Sequence, residues 1–152
     1  MQFVCPLIVV KDIDKSRNFY ENILNQKVKY DFGENIEFEG GFSIHLESHF
    51  KKLIGNQDVI KKTNNFELYF EEENLDRIFN TLKKNGIEFI HEITEHPWGQ
   101  RAMRFYDFDF HIIEIGESMQ SVVIRLYNNG MTIEEINSKT SMPIDFIKKN
   151  GL

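Results

Sequence analysis

Apolar and polar positions follow one another along the chain in a series of short, regularly punctuated segments. Residues 3–10 form an apolar run rich in Val and Ile, which predicts a strand. Apolar residues then recur at helical spacing over 19–24, and this helix begins at Asp12 or Asp14. Three further strands, separated by glycines, are predicted at 27–32, 36–38 and 42–47. The first series therefore has the order β-α-β-β-β.

The same order recurs after a connector, residues 48–65, that has no strand pattern. Residues 66–71 alternate as a strand does, and the helical stripe that follows ends at Gly86. Another strand comes next. The last two strands are predicted at 101–106 and 110–115, on either side of an Asp-Phe-Asp turn.

A repeated order of elements predicts the fold class, because such a series is built from equivalent structural units. We expect an α+β protein in which two βαβββ modules, about 1–47 and 66–117, form an open, curled mixed sheet. Residues 1–117 would be one domain of paired modules, and residues 118–152 a helical C-terminal extension.

The extension shows helical spacing in three pieces. An apolar stripe predicts a first helix, Thr132 with Glu135 has the pattern of a capping box, and Pro143 suits the first turn of a third helix. Three short helices are compatible with a DNA-binding helix-turn-helix, a lid or a clamp across a dimer, and the small number of basic residues favours the last two. The stripe consists of Met119, Val122, Val123 and Leu126.

Composition narrows the class of protein. The 152 residues are 41% hydrophobic and include 14 Phe, as expected for a globular domain, and the net charge of −6 argues against general nucleic-acid binding. The single cysteine, Cys5, excludes an internal disulfide bond. No signal-type segment or membrane-length apolar run is present, so we expect a cytoplasmic protein.

Glu114 is the first candidate functional residue, because it lies in an otherwise apolar strand. A buried carboxylate needs a partner, a shifted pKa or access to water. Strand alternation puts Glu114 on the same face as Phe110 and Ile112. The two arginines of the preceding strand, Arg101 and Arg104, are alternative partners for it.

The first module contains Val9, Asp12, Ser16, Phe19 and Tyr20, and the second contains Phe105, Asp107, Asp109, His111, Ile113 and Glu114. Two βαβββ modules with these residues resemble the vicinal oxygen chelate superfamily, which includes glyoxalase I, bleomycin-resistance proteins, fosfomycin-resistance enzymes and extradiol dioxygenases. The resemblance covers about residues 1–117. One departure is the turn Asp107-Phe108-Asp109-Phe110, where the superfamily usually has Asp-Pro-Asp-Gly.

The resemblance implies a metal site on cavity-facing strands, with His45, Glu67 and Glu114 as ligands. Cys5 stands where glyoxalase I has His or Gln. One imidazole and two carboxylates would hold a divalent Zn, Ni, Fe or Mn ion with open positions, while Glu67 or Glu114 moves a proton. Alternatively, His45 is only a hydrogen-bonded cavity residue and Glu67 only faces water.

Two functions from different classes follow. The first is a metal-dependent lyase or isomerase, similar to lactoylglutathione lyase, that acts on a small oxygenated compound. Trp98 would be a loop anchor or cavity wall, and Arg101 or Arg104 would hold an anionic substrate. The second is a metal-free protein that sequesters a compound, as bleomycin-resistance proteins do. Both imply a small-molecule ligand and a homodimer, with no membrane or nucleic-acid partner.

Overall fold

The structure, a computed structural model, describes residues 1–151. The chain forms two compact units: Met1–Phe66 with Asp107–His111, and Glu67–Tyr106 with the chain from Ile112 onward. Each unit contains one four-stranded mixed sheet and its helices, which confirms the predicted fold class.

In the first unit, β1 and β4 are parallel neighbours and the sheet order is β1-β4-β3-β2. Of the two predicted N-cap candidates, the structure has Asp12, whose side chain accepts a hydrogen bond from the Lys15 backbone N–H at 3.0 Å. Strand pairing starts only after Pro6, so β1 is shorter than predicted. The elements are β1 Leu7–Val10, α1 Ile13–Asn18 (continued by a π-helical turn, Phe19–Ile23), β2 Val28–Asp31, β3 Asn35–Phe38, β4 Ser43–Leu46 and α2 Glu47–Leu53.

The second unit repeats this plan with the sheet order β5-β8-β7-β6 and adds three helices. One face of its sheet is apolar: Leu68, Met103 and Ile113 are all buried. The elements are β5 Glu67–Glu71, α3 Leu75–Lys84, β6 Phe89–Glu95, β7 Arg101–Tyr106, β8 Ile112–Gly116, α4 Met119–Asn128, α5 Ile133–Thr140 and α6 Ile144–Gly151.

The turn between β7 and β8 is longer than predicted. Phe110 has a φ of +67°, outside the extended region of a regular strand, and β8 starts at Ile112 instead of residue 110. Asp107 organises the turn because its Oδ1 accepts hydrogen bonds from the backbone N–H groups of Asp109 and His111. The buried Tyr20 hydroxyl donates to the other carboxylate oxygen of Asp107 at 2.9 Å.

The C-terminal extension packs against itself. The stripe residues Val122, Val123 and Leu126 are buried together with Ile136 of α5 and Ile147 of α6. The capping box of α5 is confirmed by both of its hydrogen bonds. The stripe is therefore covered within its own chain, and the clamp across a dimer stays a prediction.

No helix within residues 1–151 is long and apolar enough to cross a membrane.

Candidate functional site

Four neighbouring side chains on one face of the second unit's sheet form its polar centre. The strand register aligns Tyr69, Glu114, Arg104 and His91, one from each of the four strands. Glu67 lies two residues before Tyr69 on β5 and therefore shares this face. The sheet thus brings the predicted residues Glu67 and Glu114 together.

Arg104 lies between the two carboxylates. Its Nε donates to Glu67 Oε2 at 2.9 Å, and its Nη2 donates to Glu114 Oε2. One guanidinium therefore bridges Glu67 and Glu114 in charge-assisted hydrogen bonds. Of the two arginines considered from the sequence, Arg104 is the partner of Glu114.

The two carboxyl groups have pKa values displaced in opposite directions. Hydrogen bonding to Arg104 lowers the pKa of Glu67. Burial raises the pKa of Glu114, which is only 7% exposed, and the attraction of Arg104 does not cancel this effect. Of the two groups, Glu67 is therefore the more acidic and Glu114 the more basic carboxyl group. Such a pair has the acid and the base already assigned.

Two histidines that the sequence reasoning missed complete this face. His91 Nε2 lies 3.4 Å from Arg104 Nη1. The ring of His96 lies 6.4 Å from that of His91 and stacks on Trp98, with centroids 4.4 Å apart and planes 15° apart. The available signal was two histidines within six residues, next to the loop that contains Trp98.

The Nε2 atom of His96 is buried and has no hydrogen-bond partner among residues 1–151. Buried polar atoms are nearly always paired, and an unpaired one costs free energy. This nitrogen is therefore an unsatisfied hydrogen-bonding atom of the loop.

Residues 96–100 form a tight loop, with a hydrogen bond from the Gly99 N–H to the His96 carbonyl. Trp98 Nε1 donates to Gln100 Oε1, and Gln100 Nε2 donates in turn to the Tyr69 hydroxyl at 2.9 Å. Burial, followed by the nearby Glu71, raises the pKa of Tyr69 to about 12, so this hydroxyl stays protonated at neutral pH. The loop is thus linked to β5, and Trp98 lies at its exposed side.

The stacked rings make the protonation of His96 observable. Burial, then the positive charge of Arg104 and the neighbouring His91, lower the pKa of His96 below 6.5. His96 is therefore neutral at pH 7 and becomes an imidazolium as the pH falls through this lowered value. Imidazolium quenches indole emission, so we expect Trp98 fluorescence to drop in acid with a midpoint below pH 6.5. The transition should be absent in His96→Gln, and one that persists there would assign it to another group.

Arg101 projects to the opposite side of β7 from Arg104. Its Nε and Nη2 both contact Glu117 Oε1 at 2.8 Å, and Glu117 is almost fully buried. The guanidinium of Arg101 is thus engaged in an ion pair within the second unit.

His45 belongs to the first unit, where both of its ring nitrogens have partners. Nδ1 lies 3.1 Å from Asn35 Nδ2, and Nε2 lies 2.8 Å from His49 Nδ1. If the amide donates to Nδ1, His45 carries its proton on Nε2 and donates to His49. Burial, then His49, lower the pKa of His45, so it is neutral at pH 7. Cys5 Sγ lies 3.9 Å from Ser43 Oγ.

The first unit also contains an open cavity of about 860 Å³. None of the site residues predicted from the sequence lines it. Its charged lining includes Lys61, which forms ion pairs with Asp109 at 2.6 Å and with Glu47 at 3.1 Å. The lining residues are Lys11, Asp12, Ile13, Lys15, Ser16, Leu46, Glu47, Lys61, Phe108, Asp109 and Phe110.

Comparison with known families decides the identity of the fold. The family model described as "Glyoxalase-like domain" matches residues 3–120. The chain belongs to this glyoxalase-like family. This agrees with the resemblance to the vicinal oxygen chelate superfamily, and the match ends before most of the C-terminal extension.

Three individual proteins show the extent of similarity to this glyoxalase-like chain. The fosfomycin resistance protein FosX of Listeria innocua is 24% identical over 115 residues, which are 71% of this chain and 83% of the relative. A protein of unknown function from Agrobacterium tumefaciens is 39% identical, with a TM-score of 0.70 over 78% of this chain and 94% of that chain. FosX of Listeria monocytogenes, solved with Mn(II) and sulfate, is 22% identical and shares the fold, with a TM-score of 0.61 over 82% of this chain and 97% of that chain.

The family raises the question of a divalent metal. Within each unit, residues 1–151 contain no group of three His, Cys, Asp or Glu side chains that could hold a metal ion. In the second unit the guanidinium of Arg104 already occupies the place of a cation between Glu67 and Glu114. In this arrangement the two carboxylates do not fit a metal. The set of His45, Glu67 and Glu114 stays a prediction.

Proposed function

We propose that this glyoxalase-like protein is an acid–base enzyme of the lyase or isomerase type that moves a proton on a small oxygenated compound. The proposal rests on the carboxyl groups of Glu67 and Glu114. Arg104 bridges them, and their pKa values are shifted in opposite directions. Enzymes that run acid and base chemistry at one pH use such pairs.

In the proposed step the carboxyl group with the lowered pKa is the base and the one with the raised pKa is the acid. Ionised Glu67 takes a proton from the carbon next to a carbonyl group, while protonated Glu114 gives its proton to the carbonyl oxygen. The product is an enol, and the reverse transfers return it to a carbonyl compound or to its isomer. Arg104 keeps the two carboxyl groups in place and compensates the charge that moves between them.

Hydrogen exchange tests this step without knowledge of the natural substrate. The protein is incubated in D₂O with hydroxyacetone, glycolaldehyde or pyruvate, and deuterium incorporation next to the carbonyl is followed by NMR. We expect exchange of at least one compound above the rate with heat-denatured protein. Exchange of none of the three above that background would contradict the proposal.

A second candidate is a metal-free protein that binds a compound without chemistry. The observation that favours it is that Glu67, Glu114 and Arg104 satisfy one another, as a structural network does. Fosfomycin is the first compound to titrate, because relatives are named for resistance to it. Calorimetric binding of fosfomycin, with the compound recovered unchanged, would support this candidate.

The predicted metal set leads to a competition experiment. A divalent ion on His45, Glu67 and Glu114 would polarise a carbonyl oxygen, but it would have to displace Arg104 from both carboxylates. Removing the guanidinium in Arg104→Met should therefore raise the Mn(II) affinity by about tenfold or more. In that background His45→Ala should lower the affinity if His45 is a ligand. Calorimetry measures both changes, and equal Mn(II) affinity of wild type and Arg104→Met would refute the competition.

A homodimer and a cytoplasmic location also remain proposals, drawn from the resemblance and the composition. Static light scattering of the full chain tests the first.

A further inference from the structure

The C-terminal extension supports the 96–100 loop although most of it lies outside the family match. A Cβ atom placed on Gly99 would lie 3.0 Å from Lys139 Cε and 3.2 Å from Leu126 Cδ1. The backbone of Gly99 therefore lies against side chains of α4 and α5, which would have to shift to admit a Cβ atom. Its φ of +86° also favours glycine at this position.

Polar contacts hold the same loop from the extension. Arg125 of α4 donates through Nη2 to the Gly99 carbonyl and to Glu117 Oε2. Its Nη1 contacts Glu95 at 3.2 Å, and Lys139 of α5 contacts the other oxygen of Glu95, also at 3.2 Å. Glu95 directly precedes the loop, so the extension holds both its start and its tip.

The loop carries two side chains toward the polar face. These are His96, whose buried Nε2 has no partner among residues 1–151, and Trp98, whose ring stacks on the imidazole. His96 also interacts electrostatically with Arg104 and His91. The ring of His96 lies 6.4 Å from that of His91, and His91 Nε2 lies 3.4 Å from Arg104, the group that bridges Glu67 and Glu114.

We propose that His96 binds a hydroxyl group of the ligand and that Arg125 is a positioning residue that holds His96 and Trp98 in place through Gly99. A hydroxyl group fits because it both donates and accepts, so it can pair with either tautomer of a neutral imidazole. The half-exposed indole of Trp98 offers an apolar surface to the carbon skeleton next to that hydroxyl. The inference rests on the proposed function in placing the ligand at the Glu67–Glu114 pair.

Trp98 is the only tryptophan of the chain, so its fluorescence reports on this loop alone. The probes are hydroxyacetone and 2-butanone, which differ by a hydroxyl group in place of a methyl group. We expect wild-type protein to bind hydroxyacetone about three- to tenfold more tightly, the range of one net hydrogen bond. His96→Phe keeps a ring against Trp98 and should abolish the preference. A wild-type protein without the preference, or a His96→Phe protein that keeps it, would overturn the proposal.

Arg125→Gln tests the positioning role. We expect red-shifted Trp98 emission, stronger acrylamide quenching and loss of the hydroxyacetone preference, measured well below the melting temperature with folding checked by circular dichroism. Lys149→Gln removes an exposed cation of α6 and is the matched control, expected to behave as wild type. If Arg125→Gln only lowers the melting temperature and leaves Trp98 emission and the preference unchanged, Arg125 is not a positioning residue.

The outcomes separate this inference from the proposed function. Loss of deuterium exchange with an intact hydroxyl preference would overturn the proposed chemistry and support the His96 subsite. Deuterium exchange without any preference between hydroxyacetone and 2-butanone would support the proposed chemistry and overturn the His96 subsite.

Discussion

The Glu67→Gln variant is expected to exchange the hydrogens next to the carbonyl of hydroxyacetone about 10²- to 10⁴-fold more slowly than wild type, the usual contribution of one general base. Glutamine has nearly the same shape and can still accept the hydrogen bond from Arg104 Nε, so the fold should be retained. An amide cannot take up a proton at neutral pH, so the variant loses the base alone.

Glu71→Gln is the matched control for this variant. Glu71 lies on the same strand and face as Glu67, but it bonds the Tyr69 hydroxyl and not Arg104. We expect its exchange rate to stay near that of wild type. Equal rates in Glu67→Gln and Glu71→Gln would remove Glu67 from the mechanism.

The pH profile of exchange follows from the two pKa directions. The base Glu67 must be ionised, and Arg104 lowers its pKa, so the rate should fall only below about pH 4.5. The acid Glu114 must be protonated, and burial raises its pKa, so the rate should fall again as the pH rises through this raised value. Exchange should therefore show a bell-shaped profile, and Glu67→Gln should lose the acidic limb.

The Glu117→Gln variant is expected to lower the free energy of unfolding by about 3 kcal/mol, since removing one member of a buried ion pair leaves its partners uncompensated. Glu117 is 2% exposed and accepts hydrogen bonds from the side chains of Arg101 and Arg125 and from the Arg101 backbone N–H. Both arginines are partly exposed, which places the expected loss at the lower end for buried pairs.

Urea denaturation measures this loss, with Glu95→Gln as the control. Glu95 also pairs with Arg125, but its side chain is 41% exposed, so its replacement should cost at most about 1 kcal/mol. If both variants lose the same free energy of unfolding, burial of Glu117 does not strengthen its ion pairs.

The effect of Glu117 should also depend on pH. Burial alone would raise the pKa of Glu117, but the bonds from Arg125 and Arg101 outweigh it and the net shift is downward. A carboxyl group with a lowered pKa stabilises the fold above its unfolded-state value, near 4.3, and this contribution disappears as the pH falls through the folded-state value. The difference between wild type and Glu117→Gln should therefore be full at pH 7 and shrink in acid.

Features that depend on neighbouring residues could be predicted from the sequence. The order of the two modules follows from the spacing of apolar residues, and the caps at Asp12 and Thr132 follow from short-range hydrogen bonds. The predicted start of β8 was wrong. Phe110 is a residue type typical of strands, but the hydrogen bonds of Asp107 hold a turn through this position. Local propensity did not reveal the left-handed backbone at Phe110.

For the candidate site, the sequence by itself determined which residues share a face within each strand, because strand alternation has a strict period of two. That Glu67 and Glu114 meet was expected from the resemblance, and the pairing of β5 with β8 puts them on one face. Only the tertiary structure decided that Arg104 bridges them, since the choice over Arg101 depends on the pairing register of β7 with β8. The same holds for His96, whose position depends on Arg125 from a helix about 30 residues further along the chain. Such long-range contacts leave no periodic trace in the sequence, because they arise from packing between elements and not from spacing within one.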